Sequence, residues 1–234
     1  VRSSCYLSFF FFSRRRPPPS TLLPYTTLFR SAYGVNHPDA CRGFLLRGVF
    51  LGSDAEVDWF LRDMSIIFPE AHADFVAHVG EGVDVFAAYL ERLNDPDPAR
   101  HLPAARAWAR YESRCSCLHP HDVGSGGAAF DSYALSLARI EAHYFAHHCF
   151  LQPDELMARL GAIRHLPAYI VQGRYDIVCP FHTAHRLHLG WPNSELHVVA
   201  DAGHSGMEPG IARAMAQGAD ALADKLAGHP NQDR

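Results

Sequence analysis

At 234 residues the chain is long enough to bury a sizeable core, and its 48% hydrophobic and 12% aromatic content is that of a globular protein rather than a disordered one. The formal net charge is −4, yet five of the 21 basic residues and none of the 25 acidic ones fall in the first 31 positions. The remainder sets 16 basic against 25 acidic residues, near −9, which argues against nucleic acid or an anionic membrane as partner and suits a small cationic substrate.

Three homopolymeric runs open the chain: Phe9 to Phe12, Arg14 to Arg16 and Pro17 to Pro19. A secretory signal would place its basic residues before a longer apolar stretch, and this apolar stretch is too short to span a bilayer. The segment from Phe9 to Ser31 resembles translated sequencing-adapter read-through, so residues 1–31 are expected to be artefactual or disordered. Ala32 to Asn36 read as the end of a helix. The apolar stretch between Gly43 and Leu51, carrying Arg47, reads as a buried strand.

From Asp54 to about Arg164 the pattern is helical throughout, with apolar faces at Trp59, Phe60 and Met64, at Phe75, Val76 and Val79, and at Phe86, Tyr89, Leu90 and Leu93. Asp95-Pro96-Asp97-Pro98 opens the helix that carries Trp108 and Tyr111, and Gly124 to Gly127 reads as a loop. A helix through Leu135, Ile140 and Tyr144 and a short one at Pro153 to Leu160 follow. Ala168 to Gln172 and Glu195 to Val199 read as strands, and Pro209 opens a last helix from Gly210 to Leu226.

The chemistry sits just after those two strands. Asp176, in Gly173-Arg174-Tyr175-Asp176, and His204, in Asp201-Ala202-Gly203-His204, follow successive strands, where open α/β sheets place their sites and in the order acid then histidine used by α/β-hydrolases. Neither a Gly-x-Ser-x-Gly nucleophile motif nor a His-Gly-Gly-Pro oxyanion segment occurs in this sequence.

Four blocks in register carry a more specific likeness: Leu46 to Leu51, Ala138 to Phe145, Gly173 to Pro180 and Asp201 to Ser205. Together they resemble proline iminopeptidases, serine peptidases of the α/β-hydrolase fold. The resemblance implies an α/β fold comprising the C-terminal part of an α/β-hydrolase sheet, residues 32–53 and 165–234, with an inserted helical cap, residues 54–164. It implies a peptide substrate with an N-terminal proline, Asp176 and His204 as triad acid and base, Glu112 and Glu141 as binders of the substrate's imino group, and Arg47 as a residue lining the site. It implies no cofactor. By the family's spacing the serine would fall near position 24, which here is Pro24, so the chain as written is expected to be inactive.

Read from the residues alone, Glu112 and Glu141 could equally be solvated helix residues paired with Arg114 or Arg139. Arg47, a charge in an apolar strand, is expected to reach a carboxylate. Other readings stay open: an esterase or epoxide hydrolase of the same fold, a non-catalytic protein, or a metal site at Cys115, Cys117, His119 and His121, with His143 and His147 one helical turn apart. No metal is assigned. Five cysteines after residue 31, an odd number without small-scaffold density, point to a reducing cytoplasm.

Overall fold

The computed structural model describes residues 27–80, 82–119 and 127–227. The expected adapter-like segment up to residue 26, the loop at 124–126, His121 and position 24 lie outside the described residues.

The sheet has three parallel strands, β1 (Phe44–Arg47), β2 (Ala168–Gly173) and β3 (Ser194–Val199), in the order β1-β2-β3. Leu46 pairs with Ile170 and Ile170 with Leu196, so β2 is central. Alternation along the strands divides the side chains between two faces. Phe44, Leu46, Ala168 and Ile170 point to one, where helices α1 (Thr27–Asn36) and α8 (Phe181–Gly190) supply Leu28, Val35, Ala184 and Leu187. Leu45, Tyr169 and Val171 point to the other, against Ile211, Ala214, Met215 and Leu222 of α9 (Pro209–Ala227).

A parallel pair cannot close through a tight turn, so β2 and β3 require a crossover, and α8 supplies it. The sequence reading placed no helix there, although Thr183, Ala184 and Leu187 form one buried face. Two boundaries also differ from expectation. Helix α1 begins at Thr27, inside the segment expected to be artefactual or disordered, and buries Leu28, Arg30 and Ser31, with Arg30 donating to the carbonyl of Leu45 at 2.9 Å. Strand β1 is shorter than the apolar run that signalled it, because Gly48 turns into the left-handed region at φ 56° and ends the ladder.

Between β1 and β2 the described residues are helical: α2 (Asp54–Leu61), α3 (Pro69–Val79), α4 (Val85–Asn94), α5 (Pro98–Ser116), α6 (Ala128–Ala146) and the short α7 (Glu155–Ala158). Their starts follow local chemistry. Ser53 and Glu56 form a reciprocal capping box at α2, and Asp84 and Asp97 accept from Ala87 and Ala99 at α4 and α5. Helices α2 to α6 pack around Phe75, which stacks on Tyr89 with ring centroids 4.3 Å apart and on Tyr111 at 4.5 Å. Burying Phe75 contributes about 2–3 kcal/mol. Both phenols are satisfied inside this core, Tyr89 donating to the carbonyl of Phe75 at 2.8 Å and Tyr111 to that of Phe60 at 2.9 Å.

At its C-terminal end β2 approaches the loop after β3 so closely that only glycine fits: a Cβ on Gly173 would meet the carbonyl oxygens of Gly203 at 2.0 Å and Ala202 at 2.6 Å. Those atoms are backbone and cannot swing aside. Gly173→Ala is therefore expected to destabilise the chain by about 3 kcal/mol or more. The check is the urea midpoint, which should fall with the slope unchanged.

Candidate functional site

Two loops leave the C-terminal ends of β2 and β3 and meet. Asp176 is 3% exposed, and its two carboxylate oxygens lie 3.1 and 3.0 Å from Nδ1 of His204. An ionised carboxylate only accepts, so this contact places the imidazole proton on Nδ1 and leaves Nε2 as the basic nitrogen. Two further donors hold the carboxylate: Nε2 of Gln172 on Oδ2 at 2.8 Å and the backbone N–H of Cys179 on Oδ1 at 2.8 Å.

Gln172 is wholly buried and was read from the sequence only as part of a strand. Its Nε2 also donates to the carbonyl of Cys179 at 2.8 Å, while its Oε1 accepts from the N–H of Val49 at 3.0 Å. That last bond occupies an amide released from the ladder where β1 ends. A polar residue in an otherwise apolar buried run was the available signal.

The loop bearing His204 is fixed from the helical region. The carbonyl of Ser116, the last residue of α5, accepts from the N–H groups of His204 and Ser205, each at 2.8 Å. Glu208 accepts from Gly203 at 2.7 Å and from Leu118 at 2.9 Å, joining the same two segments. On the acid side, Nε1 of Trp59 donates to the carbonyl of Ile177 at 2.6 Å. Gly48 forms a wall of the site, since a Cβ there would meet Cε1 of His204 at 2.7 Å.

Arg47 leaves the end of β1 toward this loop. The sequence reading sent it to a carboxylate; the structure gives its Nη1 a backbone partner, the carbonyl of His204, with Glu112 within electrostatic range. It therefore adds positive potential beside the histidine.

Glu112 on α5 and Glu141 on α6 come together. Their carboxyl groups are in hydrogen-bonding contact, Glu141 Oε2 also accepts from Nε1 of Trp108 at 2.8 Å, and Glu112 Oε2 is buried without a donor. The expected pairing of these residues with Arg114 or Arg139 does not hold. Arg114 pairs with Asp74 at 2.5 Å, and Arg139 donates to the carbonyl of Leu93 at 2.7 Å. Burial pushes both carboxyls above the usual carboxylate range. For Glu141 the neighbouring Glu112 adds to the rise, while His204, the bond to Glu141 and Arg47 partly offset it for Glu112. Tyr133 on α6, which is 59% exposed, lies within electrostatic range of the same two carboxyls.

Among the described residues, Cys115, Cys117 and His119 do not gather into a metal site. Cys115 is buried in the helical core with its thiol pushed by burial up to about 12, and Cys117 bonds to the side chain of Ser205. Among the described residues no group of three or more His, Cys, Asp or Glu could hold a metal ion. No helix among them is long and apolar enough to cross a membrane.

A proline iminopeptidase from Arabidopsis thaliana is 42% identical over 185 residues, covering 77% of this chain and 49% of that protein. A probable proline iminopeptidase from Leptolyngbya boryana is 42% identical over 193 residues, 81% of this chain and 60% of the relative, and one from Xylella fastidiosa is 37% identical over 182 residues, 76% and 58%. The chain thus spans 49–60% of the length of these relatives. No family model matches the sequence. Among solved structures, an esterase from Exiguobacterium antarcticum overlaps 86% of this chain and 63% of its own at 15% identity and a TM-score of 0.45. Similarity at that level identifies neither a substrate nor a site.

Two outcomes are expected from this geometry. Gln172→Leu leaves the Val49 N–H without an acceptor in a buried position, costing about 2–3 kcal/mol, read as a drop in denaturation midpoint. For Glu141 the folded chain holds a proton above the pH at which an unfolded glutamate loses it. Its contribution to stability is therefore complete below the ordinary glutamate range and is lost as pH rises through the raised titration. Denaturation from pH 4 to 9 should show that decline, and Glu141→Gln should flatten it.

Proposed function

The chain belongs to the proline iminopeptidase family over its matched region, and we propose that it supplies the acid, the base and the substrate-anchoring residues of a serine exopeptidase that releases N-terminal proline from peptides. The observation that carries this reading is a carboxylate-held imidazole with a half-buried pair of glutamates beside it, brought from two different helices, of which Glu112 lies within electrostatic range of His204. Asp176 orients His204 and stabilises its imidazolium, leaving Nε2 to take the proton of a serine hydroxyl and deliver it to the departing amine. Glu112 and Glu141 anchor the protonated secondary amine of the substrate, which explains a requirement for a free amino terminus. Arg47 holds the histidine loop at its carbonyl and lines the site.

The serine and its oxyanion donors are assigned to the part of the relatives that this chain does not span. Residues 54–164 are assigned as a cap over a core formed by 32–53 and 165–234. An esterase or epoxide hydrolase would gain nothing from two enclosed carboxyls beside the histidine, which disfavours that alternative. A cytoplasmic location and a peptide partner, without nucleic acid or membrane, complete the reading.

The 234-residue chain is expected to give no turnover of a proline arylamide. In the full-length protein, Asp176→Asn should lower kcat by about 10⁴ because the imidazole takes the wrong tautomer. Glu112→Gln should chiefly raise KM for proline arylamide and leave hydrolysis of a small uncharged ester largely intact. Equal loss on both substrates would remove the glutamates from substrate binding.

A further inference from the structure

Two carboxyl groups in direct contact impose a condition on each other. When ionised, each has acceptors only, so contact without an intervening proton sets like charges together where both side chains are half-buried and one oxygen is shut off from water. Among the described residues, Glu112 Oε2 is shielded from solvent and receives no donor, and the donor fixed on Glu141 is the indole N–H of Trp108 at 2.8 Å. We propose that in the ligand-free protein Glu141 carries one proton, which it donates to Glu112, and that a secondary ammonium group displaces this proton on binding, so that the pair exchanges a proton for the substrate's cation. The inference rests on the reading of the pair as the amine anchor.

The surroundings explain which glutamate holds the proton. Glu112 faces Arg47 from β1 and His204 from the loop after β3, both of which favour its ionised form. Glu141 accepts from Trp108 of α5 and, among the described residues, its acidic neighbour is Glu112. Tyr133 from α6 faces both carboxyls, and Cys179, after β2, faces Glu112 with its thiol neutral. The fixed positive charge of Arg47 thus lies on the Glu112 side, and the proton is left to Glu141.

The exchange balances. A proline amino terminus arrives as R₂NH₂⁺ at neutral pH, the Glu141 proton passes to solvent, and the bound state has two carboxylates around one ammonium. The N–H groups of that ammonium supply the donor that Glu112 Oε2 lacks. The association constant for the amine should accordingly rise about tenfold per pH unit below the titration of the pair, and level off above it. A neutral ring of the same shape has no proton to replace and should bind poorly at every pH.

Infrared spectroscopy of the purified chain in D₂O reads the proton directly, and prolinamide titrated by calorimetry in two buffers of different ionisation enthalpy counts its release. Expected are a protonated-carboxyl band at neutral pH that is absent in both Glu141→Gln and Glu112→Gln, loss of that band on adding prolinamide, and release of about one proton per ligand. Absence of the band from the wild-type chain would overturn the inference whether or not prolinamide binds, as would binding that leaves the band and the proton count unchanged. A band present with no prolinamide binding would instead overturn the amine-anchor reading, and the exchange step with it.

Discussion

A primary amide carries two N–H donors and an acceptor oxygen, and burying it inside a parallel sheet is unfavourable unless all of them are used. Gln172, in the central strand, meets that condition with Asp176, Cys179 and Val49. Each partner comes from a different piece of chain: the acid itself, the loop that follows it, and the backbone released where β1 stops. The position of Asp176 is thereby tied to the sheet on both sides before His204 adds its own contact. Loosening the amide would leave a buried carboxylate short of a donor and a buried N–H with none.

Around this anchor the site sorts its charges by depth and by partner. Asp176 is buried among donors, one from the Gln172 amide, one from the Cys179 backbone and one from the imidazole. Glu112 and Glu141 are enclosed without that supply and respond by retaining a proton. The same functional group, a carboxyl, thus sits in two contrasting settings, one surrounded by donors and the other two facing each other. Arg47 stands between these regions, bonded to the backbone of the histidine and close enough to Glu112 to bias it.

Strong periodicity made much of the fold legible. The aromatic faces of α2 to α5 announced a helical core, and Asp97-Pro98 announced the start of α5 by its capping chemistry. Asp176 and His204 were legible because each follows an apolar strand with a glycine close by. Glu112 and Glu141 were not legible from spacing, since a glutamate on a helix looks the same whether it faces water or another glutamate; only the family likeness singled them out. Helix α8 was missed because its histidines and arginine dilute a short apolar face. Gln172 and the Ser116 carbonyl act through contacts between segments far apart in sequence, and no local pattern encodes those.

The bonds at Ser116 join two parts of the molecule that are otherwise easy to think of as separate. One carbonyl at the end of α5 holds the amides of His204 and Ser205, and Glu208 repeats the connection through Leu118 and Gly203. Glu112 lies one helical turn before that carbonyl, on the same rigid rod. A tilt of α5 therefore carries Glu112 and the backbone of His204 together, as one lever arm. Any displacement of the helical layer is thereby transmitted to the contact between His204 and Asp176.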